Sequence, residues 1–294
     1  MNITLATNVS LIDAACIISV FPHWLNVFGT LISEFLVVLD LTPVEGRIAE
    51  QNRGRASSQE KLKQSLEDFA KKDSRVRWVE VLSQGAASEA VLKKWFGDKK
   101  LVRCQTGTPI LPMVYSISES RSDRVLRLDC DMVFTASDWV KSGLQKMAET
   151  KVDLVSAPRM GVWSESTETL SSRALIFNKK QLEDEKLPIK AWELDPLRKM
   201  HRWFQRRSSW LPFEQMLQKE IELKKLAILS SDSRGGVSMH LGPRQIFDEY
   251  DIDWVIAKFE KGEIPQSQID RGWDFIPEAW GLTKKSLPLK SECI

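Results

Sequence analysis

The feature that most constrains the fold is a mostly apolar run that ends in two acidic residues one position apart. Residues 124–128 lead into Asp129-Cys130-Asp131, and a second apolar run, residues 132–134, follows directly. The first run has the composition of a β-strand. Two carboxylates at the mouth of a buried strand repel each other and are costly to dehydrate, unless a divalent cation lies between them. The stretch therefore predicts a metal–phosphate site at the carboxyl end of a central strand, where open α/β sheets bind ligands.

The same acid pair also has a simpler interpretation. Asp-x-Asp occurs by chance in many proteins, and Asp129 and Asp131 could be solvated loop acids or could cap a helix that starts near Ser137. Their position between two apolar runs favours the metal site over this alternative.

Hydrophobic periodicity along the chain alternates between strand and helix patterns. Strands are predicted at residues 15–21, 35–39, 75–82, 124–128, 152–157, 173–177, 225–229 and 237–240. Helices are predicted at residues 23–35, 58–72, 86–95, 108–118, 137–149 and 211–225. This alternation predicts an α/β fold with a mostly parallel central sheet flanked by helices, and a tail over residues 246–294 that packs on the body.

The first predicted unit is strand, helix and strand, with Pro22 ending the first strand and Asp40 closing the second. Such a unit favours a parallel strand pair with a right-handed crossover. An acid at the end of its second strand is well placed to contact a nucleotide base or ribose. Alternatively, Asp40 opens the turn before Pro43, and the residues alone do not decide between these roles.

Composition and charge exclude several classes of protein. Hydrophobic residues make up 43% and charged residues 28% of the chain, and its net charge of +2 does not indicate a nucleic-acid binder. The four cysteines have no CxxC spacing, so they predict neither a zinc site nor a disulfide framework and favour a cytoplasmic setting. No stretch approaches the roughly 18 uninterrupted apolar residues of a membrane-spanning helix, and the N-terminus has no signal-peptide pattern.

In their order along the chain, these motifs resemble those of a GT-A-fold glycosyltransferase, closest to the broad family 2 type. Asp129-Cys130-Asp131 resembles the DxD motif, and residues 174–178 resemble the acceptor-side strand. Glu214 stands where that family often has Glu-Asp at the start of a helix, and His240 resembles the histidine that completes the metal shell. The resemblance implies a GT-A domain over residues 1–245, with a donor half at about 12–134 and an acceptor half at about 135–245. The sequence departs from the family's pattern in lacking a second acid beside Asp40 and beside Glu214.

The resemblance also implies a reaction. A hexosyltransferase would move a sugar from a UDP- or GDP-linked nucleotide sugar to a hydroxyl acceptor, for which a glycan is one candidate. Mn²⁺ or Mg²⁺ would be bound through Asp131, with Asp129 on the metal or the ribose and His240 as a third ligand. Asp40 would contact the nucleotide, and Glu214 would be the general base of an inverting reaction. A retaining reaction is the alternative.

Two of these residues have ordinary structural explanations as well. His240 is also suited to be a buried, hydrogen-bonded histidine at a strand end. Glu214 is also suited to be a helix-start acid that the helix dipole stabilises.

Two other functions compete with glycosyl transfer. Residues 128–133 also resemble the first motif of haloacid-dehalogenase-like phosphatases, in which Asp129 would be the nucleophile and Asp131 a general acid. That motif normally opens its domain, whereas a long segment precedes it here. A GT-A module that binds a nucleotide without turning it over is the third candidate, because the second acid is missing beside both Asp40 and Glu214.

Overall fold

The structure is a computed structural model of the 294-residue chain. It describes residues 2–10, 13–41, 59–81, 110–150, 154–156, 174–180, 226–228, 237–242, 244–272 and 274–285. The helices predicted at residues 86–95 and 211–225, and with them Glu214, lie outside the described residues.

The described strands form a large sheet and a short ribbon. They are β1 (Ile3–Ser10), β2 (Glu34–Asp40), β3 (Val76–Val81), β4 (Arg124–Asp129), β5 (Met132–Phe134), β6 (Leu154–Ser156), β7 (Ala174–Asn178), β8 (Leu226–Ile228) and β9 (Ser238–His240). Seven of them form the sheet in the order β3-β2-β1-β4-β7-β6-β8, and β5 pairs with β9 in an antiparallel ribbon. Within the sheet, β7 runs antiparallel to both of its neighbours, and every other neighbouring pair is parallel.

The described helices pack around this sheet. They are α1 (Ala14–Phe28), α2 (Gln59–Lys72), α3 (Ile110–Glu119), α4 (Asp138–Thr150), α5 (Arg244–Glu249), α6 (Ile252–Glu260), α7 (Gln266–Arg271) and a 3₁₀ helix, Pro277–Trp280. The predicted fold class, an α/β fold with a mostly parallel central sheet flanked by helices, is confirmed. Among the described helices, none combines the length and apolarity that crossing a membrane requires.

Strand β2 shows why the centre of the sheet is covered on both faces. All of its residues before Asp40 are buried, and successive side chains of a strand point to opposite faces. On one face, the ring of Phe35 packs against Phe21 of α1, which in turn packs against Phe69 of α2. Helix α3 contacts β1 and β2 as well. Strands buried in this way read as continuous apolar runs, and that is why β2 is recognisable in the sequence.

The prediction for the first strand is wrong. Residues 15–21, predicted as a strand, belong to α1, and Pro22, predicted to end that strand, lies inside the helix. Along α1, apolar residues are buried at helical spacing, namely Ile17, Val20, Phe21, Trp24 and Phe28. The helix ends at Phe28, so the prediction of a helix over residues 23–35 holds only for its first part.

The first strand is β1, and three polar residues hide its strand pattern: Thr4, Thr7 and Asn8. The buried hydroxyl of Thr4 has hydrogen-bond partners, since it donates to Glu34 Oε2 at 2.7 Å and lies 3.1 Å from Ser122 Oγ. The unit β1-α1-β2 is still a β-α-β unit with a parallel strand pair, and its first strand lies about a dozen residues earlier than predicted. The predicted division into halves at about 12–134 and 135–245, with a tail from residue 246, stays a prediction, and β1 lies before its start.

The other predicted elements within the described residues are confirmed with small shifts of their ends. Helix α2 buries Leu62 and Leu66 as its periodicity predicts, and β3, α3, β4, α4, β6, β7, β8 and β9 overlap the predicted ranges. In the tail, α5 and α6 both contact α1, and α6 also contacts β5.

Candidate metal centre

Three parallel strands end at the edge of the sheet where the predicted site lies. In the register of the sheet, Ser10 of β1 pairs with Asp40 of β2, and Asn8 of β1 pairs with Asp129 of β4. Asp40 is the last residue of β2, and Asp129 is the last residue of β4. The carboxyl ends of these strands therefore bring Asp40 and Asp129 to one edge, as the sequence predicts, with β1 between them.

Asp131 lies beside His240 because of the β5–β9 ribbon. Asp131 occupies the turn between β4 and β5, and His240 pairs with Met132, the first residue of β5. The Leu241 N–H donates to the Asp131 carbonyl at 2.9 Å. This register places His240 Nε2 2.9 Å from Asp131 Oδ2. The structure thus brings together two residues that the sequence could only suggest as partners.

The other oxygen of Asp131 has no such contact. Asp131 Oδ1 is buried and, within the described part of the chain, makes no hydrogen bond. An unpaired buried carboxylate oxygen is costly unless a cation or another donor occupies its lone pairs.

Asp129 is paired with a buried cation. Arg127, two residues earlier on β4, is fully buried, and its Nη2 donates to Asp129 Oδ1. Loss of hydration raises the pKa of Asp129, and the neighbouring Asp131 raises it further, whereas Arg127 opposes both effects. Arg127 therefore holds one oxygen of Asp129 in place and offsets part of the negative charge of the acid pair.

A third acid, Asp13, belongs to the same cluster and was missed at the sequence level. It immediately precedes α1, and the Ser10 hydroxyl donates to its Oδ2 at 2.6 Å. Loss of hydration raises the pKa of Asp13 to about 6, and the charges of Asp131 and Asp129 add to this effect. The signal in the sequence would have been an acid just after β1, which the misplacement of that strand concealed.

Asp274 was also missed. Its Oδ1 lies 2.7 Å from His240 Nδ1, so the imidazole lies between the carboxylates of Asp131 and Asp274. Nothing in the local sequence marks this residue, because it comes from the tail and meets His240 only through the fold.

Two cysteines lie next to the acids. One ligand atom each of Asp13, Cys16 and Cys130 lies within 4.8 Å of the others, and both thiols are reduced and buried. A hydrogen bond with Cys16, together with burial, raises the pKa of the Cys130 thiol well above its ordinary value. The contact packs α1 against the Asp129-Cys130-Asp131 turn, and the soft thiols are not the oxygen ligands that Mg²⁺ and Mn²⁺ prefer.

The residues present fit a hard divalent cation. Mg²⁺ and Mn²⁺ prefer oxygen ligands, and Mn²⁺ also accepts imidazole nitrogen. Asp131 and His240 Nε2 supply such donors in direct contact, Asp129 is close enough for both of their charges to act on it, and Asp131 Oδ1 is buried with no other partner among the described residues. Of the predicted site residues, Asp129, Asp131 and His240 are thus brought together, Asp40 lies at the same edge of the sheet, and Glu214 lies outside the described residues.

Comparison with known proteins gives structural but not sequence relatives. No protein-family model matches the sequence, and no curated protein does. The glycosyltransferase GlyE of Streptococcus pneumoniae TIGR4 superimposes with a TM-score of 0.45 at 10% identity, over 79% of this chain and 46% of that protein. A mannosyltransferase of Pyrobaculum calidifontis, solved with GDP-Man and Mn²⁺, gives 0.39 at 11% identity, over 62% and 46% of the two chains.

Mouse xyloside xylosyltransferase 1 gives a TM-score of 0.39 at 10% identity, over 78% of this chain and 85% of that one. The chain spans about half the length of the first two proteins.

Proposed function

We propose that this chain is a metal-dependent glycosyltransferase with a GT-A fold, which moves a hexose from a UDP- or GDP-linked sugar to a hydroxyl acceptor. The observation that best supports this is the environment of Asp131. One of its oxygens faces His240 Nε2 at 2.9 Å, and the other is buried without a described partner, at the carboxyl edge of a mostly parallel sheet. Ligand sites of open α/β sheets lie at that edge.

Electrostatics supports a cation at this place. Among the described residues, Asp13, Asp129 and Asp131 lie near one buried cation, Arg127, and the charge of Asp131 raises the pKa of both Asp13 and Asp129. A divalent ion would relieve this repulsion and take the place of the missing partner of Asp131 Oδ1. We assign Asp131 and His240 as its ligands and Asp129 as a ligand or a ribose contact. When bound, Mn²⁺ or Mg²⁺ would neutralise the diphosphate charge that develops as the nucleoside diphosphate leaves.

The neighbouring strands supply candidates for contacts to the nucleotide. Asp40 ends β2, and we propose that it accepts a hydrogen bond from the base or the ribose. Asn8 Oδ1 lies on β1 beside Asp129 in the register and is buried without a hydrogen-bond partner among the described residues. An acceptor in this position suits a donor group of the nucleotide, so we add Asn8 to the proposed donor site.

The acceptor side is proposed from the sequence resemblance. Glu214 is the proposed general base, which would deprotonate the acceptor hydroxyl in an inverting reaction. The acceptor is a hydroxyl compound, with a glycan as one candidate, and a cytoplasmic location is proposed from the cysteine pattern. The matched test of Glu214 is Glu214→Gln, which should leave nucleotide affinity unchanged while it abolishes transfer.

The first experiment is calorimetric titration of the protein with UDP and with GDP, each with and without Mn²⁺. We expect binding of one nucleotide that requires the metal, and we expect Asp131→Asn to abolish it. Asp68→Asn is the matched control, because Asp68 is an exposed acid on α2 whose partners, within the described part of the chain, are neighbours on its own helix. The nucleotide that binds names the base of the donor.

The other outcomes point to the competing functions. Metal-dependent binding without hydrolysis of the corresponding nucleotide sugars and without transfer from them would favour the non-catalytic binding module. Release of phosphate from simple phosphomonoesters, lost in Asp129→Asn, would favour the phosphatase. No binding of either nucleotide, with or without Mn²⁺, would contradict the proposed site.

A further inference from the structure

We propose that Asp274 is a positioning residue, which orients the His240 ring toward the metal site, and that the buried Gln268 holds the segment that carries Asp274. The inference deepens the proposed function and rests on it, since His240 is one of the proposed metal ligands. It gives the tail beyond residue 246 a role in the site itself.

Asp274 contacts His240 directly. Asp274 Oδ1 lies 2.7 Å from His240 Nδ1, and His240 Nε2 points in the other direction, toward Asp131. Backbone contacts hold the two residues side by side, because they form a parallel β-bridge and the Phe275 N–H donates to the His240 carbonyl at 2.8 Å. The position of Asp274 therefore follows from the backbone and does not depend on a mobile side chain alone.

The side-chain amide of Gln268 is fully buried on α7. Its Nε2 donates to the carbonyls of Gly272 at 3.0 Å and Asp274 at 2.9 Å. Its Oε1 accepts from the Ile276 N–H and from Trp280 Nε1, both at 3.0 Å. An amide has two donor hydrogens and two acceptor lone pairs, and each of them is used here. The side chain thus fixes the backbone on both sides of Asp274.

A carboxylate on one nitrogen of an imidazole keeps the proton there, so the lone pair of the other nitrogen is free to bind a metal. Asp274 would hold the proton on Nδ1 and thereby direct the Nε2 lone pair to the cluster of Asp131 and Asp129. Loss of such a carboxylate from a metal-bound histidine typically weakens metal binding by about 10–100-fold.

A purely structural explanation makes a different prediction. The Asp274 side chain is 71% exposed, and an ion pair that exposed contributes little to stability. If Asp274 were only a surface partner of His240, Asp274→Ala would change neither the melting temperature nor the metal affinity.

The test is calorimetric titration of Mn²⁺ into a mixture of the protein with UDP or GDP, whichever of the two nucleotides binds the wild type. We expect Asp274→Ala to weaken Mn²⁺ binding about 10–100-fold with an unchanged melting temperature. The matched control is Asp270→Ala. Asp270 is an exposed acid on α7 that accepts a hydrogen bond from the Gln266 side chain. Equal Mn²⁺ affinity of wild type and Asp274→Ala would overturn the inference.

A second measurement separates orientation from the simple loss of a negative charge. Pulsed electron paramagnetic resonance of bound Mn²⁺ should show coupling to a histidine nitrogen in the wild type, and His240→Ala should remove that coupling. We expect the coupling to be weak or absent in Asp274→Ala, whereas loss of charge alone would leave it unchanged and would contradict the role of Asp274. The two proposals predict different failures. If Asp131→Asn leaves Mn²⁺ binding unchanged, the proposed metal site is contradicted. If Asp131→Asn abolishes Mn²⁺ binding but Asp274→Ala leaves it unchanged, only the positioning role of Asp274 is contradicted.

Discussion

His23 Nδ1 lies 2.7 Å from Glu260 Oε1, although 237 positions of sequence separate the two residues. The imidazole is buried, and its Nε2 accepts the backbone N–H of Phe134 at 2.9 Å. Because Nε2 is an acceptor, Nδ1 carries the proton and donates a hydrogen bond to Glu260. One side chain of α1 is thereby bonded to β5, which follows the Asp129-Cys130-Asp131 turn, and to α6 in the tail.

We expect His23→Leu to lower the free energy of unfolding by about 2 kcal/mol, because it leaves the buried Phe134 N–H without an acceptor. Glu260→Gln should lower it by less than about 1 kcal/mol, since the amide oxygen still accepts from His23. Urea unfolding at neutral pH measures both changes. Equal losses of unfolding free energy in the two variants would show that the hydrogen bond from the Phe134 N–H to His23 does not contribute to stability.

Acid should weaken the same contact. The hydrogen bond from His23 lowers the pKa of Glu260 below its ordinary value of 4.5, so this carboxylate stabilises the folded state above that pH. The contribution is lost as the pH falls through the lower folded value. We therefore expect the stability difference between wild type and Glu260→Gln to shrink as the pH falls below 4.5, as measured by urea unfolding across pH 3–6. A constant difference over that range would contradict the assignment.

Asp13 should make the folded protein less stable as the pH rises, which is the opposite of the effect of Glu260. Its pKa rises from 3.8 to about 6 on folding, so the stability that its protonated form contributes is complete below pH 3.8 and is lost as the pH rises through 6. In metal-free protein at pH 7, Asp13→Asn should raise the free energy of unfolding by about 2 kcal/mol and flatten its pH dependence between those values. Thermal unfolding in EDTA across pH 4–8 tests this, and an unchanged slope would contradict it.

Cys130 should resist alkylation in the folded protein. Its thiol is buried and its pKa is raised, first by the hydrogen bond with Cys16, so little thiolate is available to react. We expect iodoacetamide at pH 8 to leave Cys130 unmodified under native conditions and to modify it in urea, as read by mass spectrometry of peptides. In Cys16→Ser, burial still protects the thiol, and modification in the native state should stay slow. Rapid native labelling would show that the turn opens.

The strands of the sheet differ in how well the sequence predicts them. Strands β2 and β4 are buried apolar runs, and β3 alternates, so each has a local signal. Strand β1 has a weaker signal, because Thr4, Thr7 and Asn8 interrupt its apolar residues, and the contact that explains Thr4 is with Glu34 of another strand. Residues 15–21 misled the prediction because β-branched residues favour strands, whereas burial at helical spacing against the sheet decides for the helix.

The sequence by itself determined the mostly parallel α/β class and the placement of Asp129 and Asp131 at the end of a central strand, because these depend on local hydrophobic pattern. Only the tertiary structure decided which groups surround those acids. Pairing of β5 with β9 brings His240 to Asp131, the tail brings Asp274 to His240, and the start of α1 brings in Asp13. The physical reason is that such contacts join residues far apart in the chain, so they depend on which strands and helices become neighbours, and no local pattern encodes that.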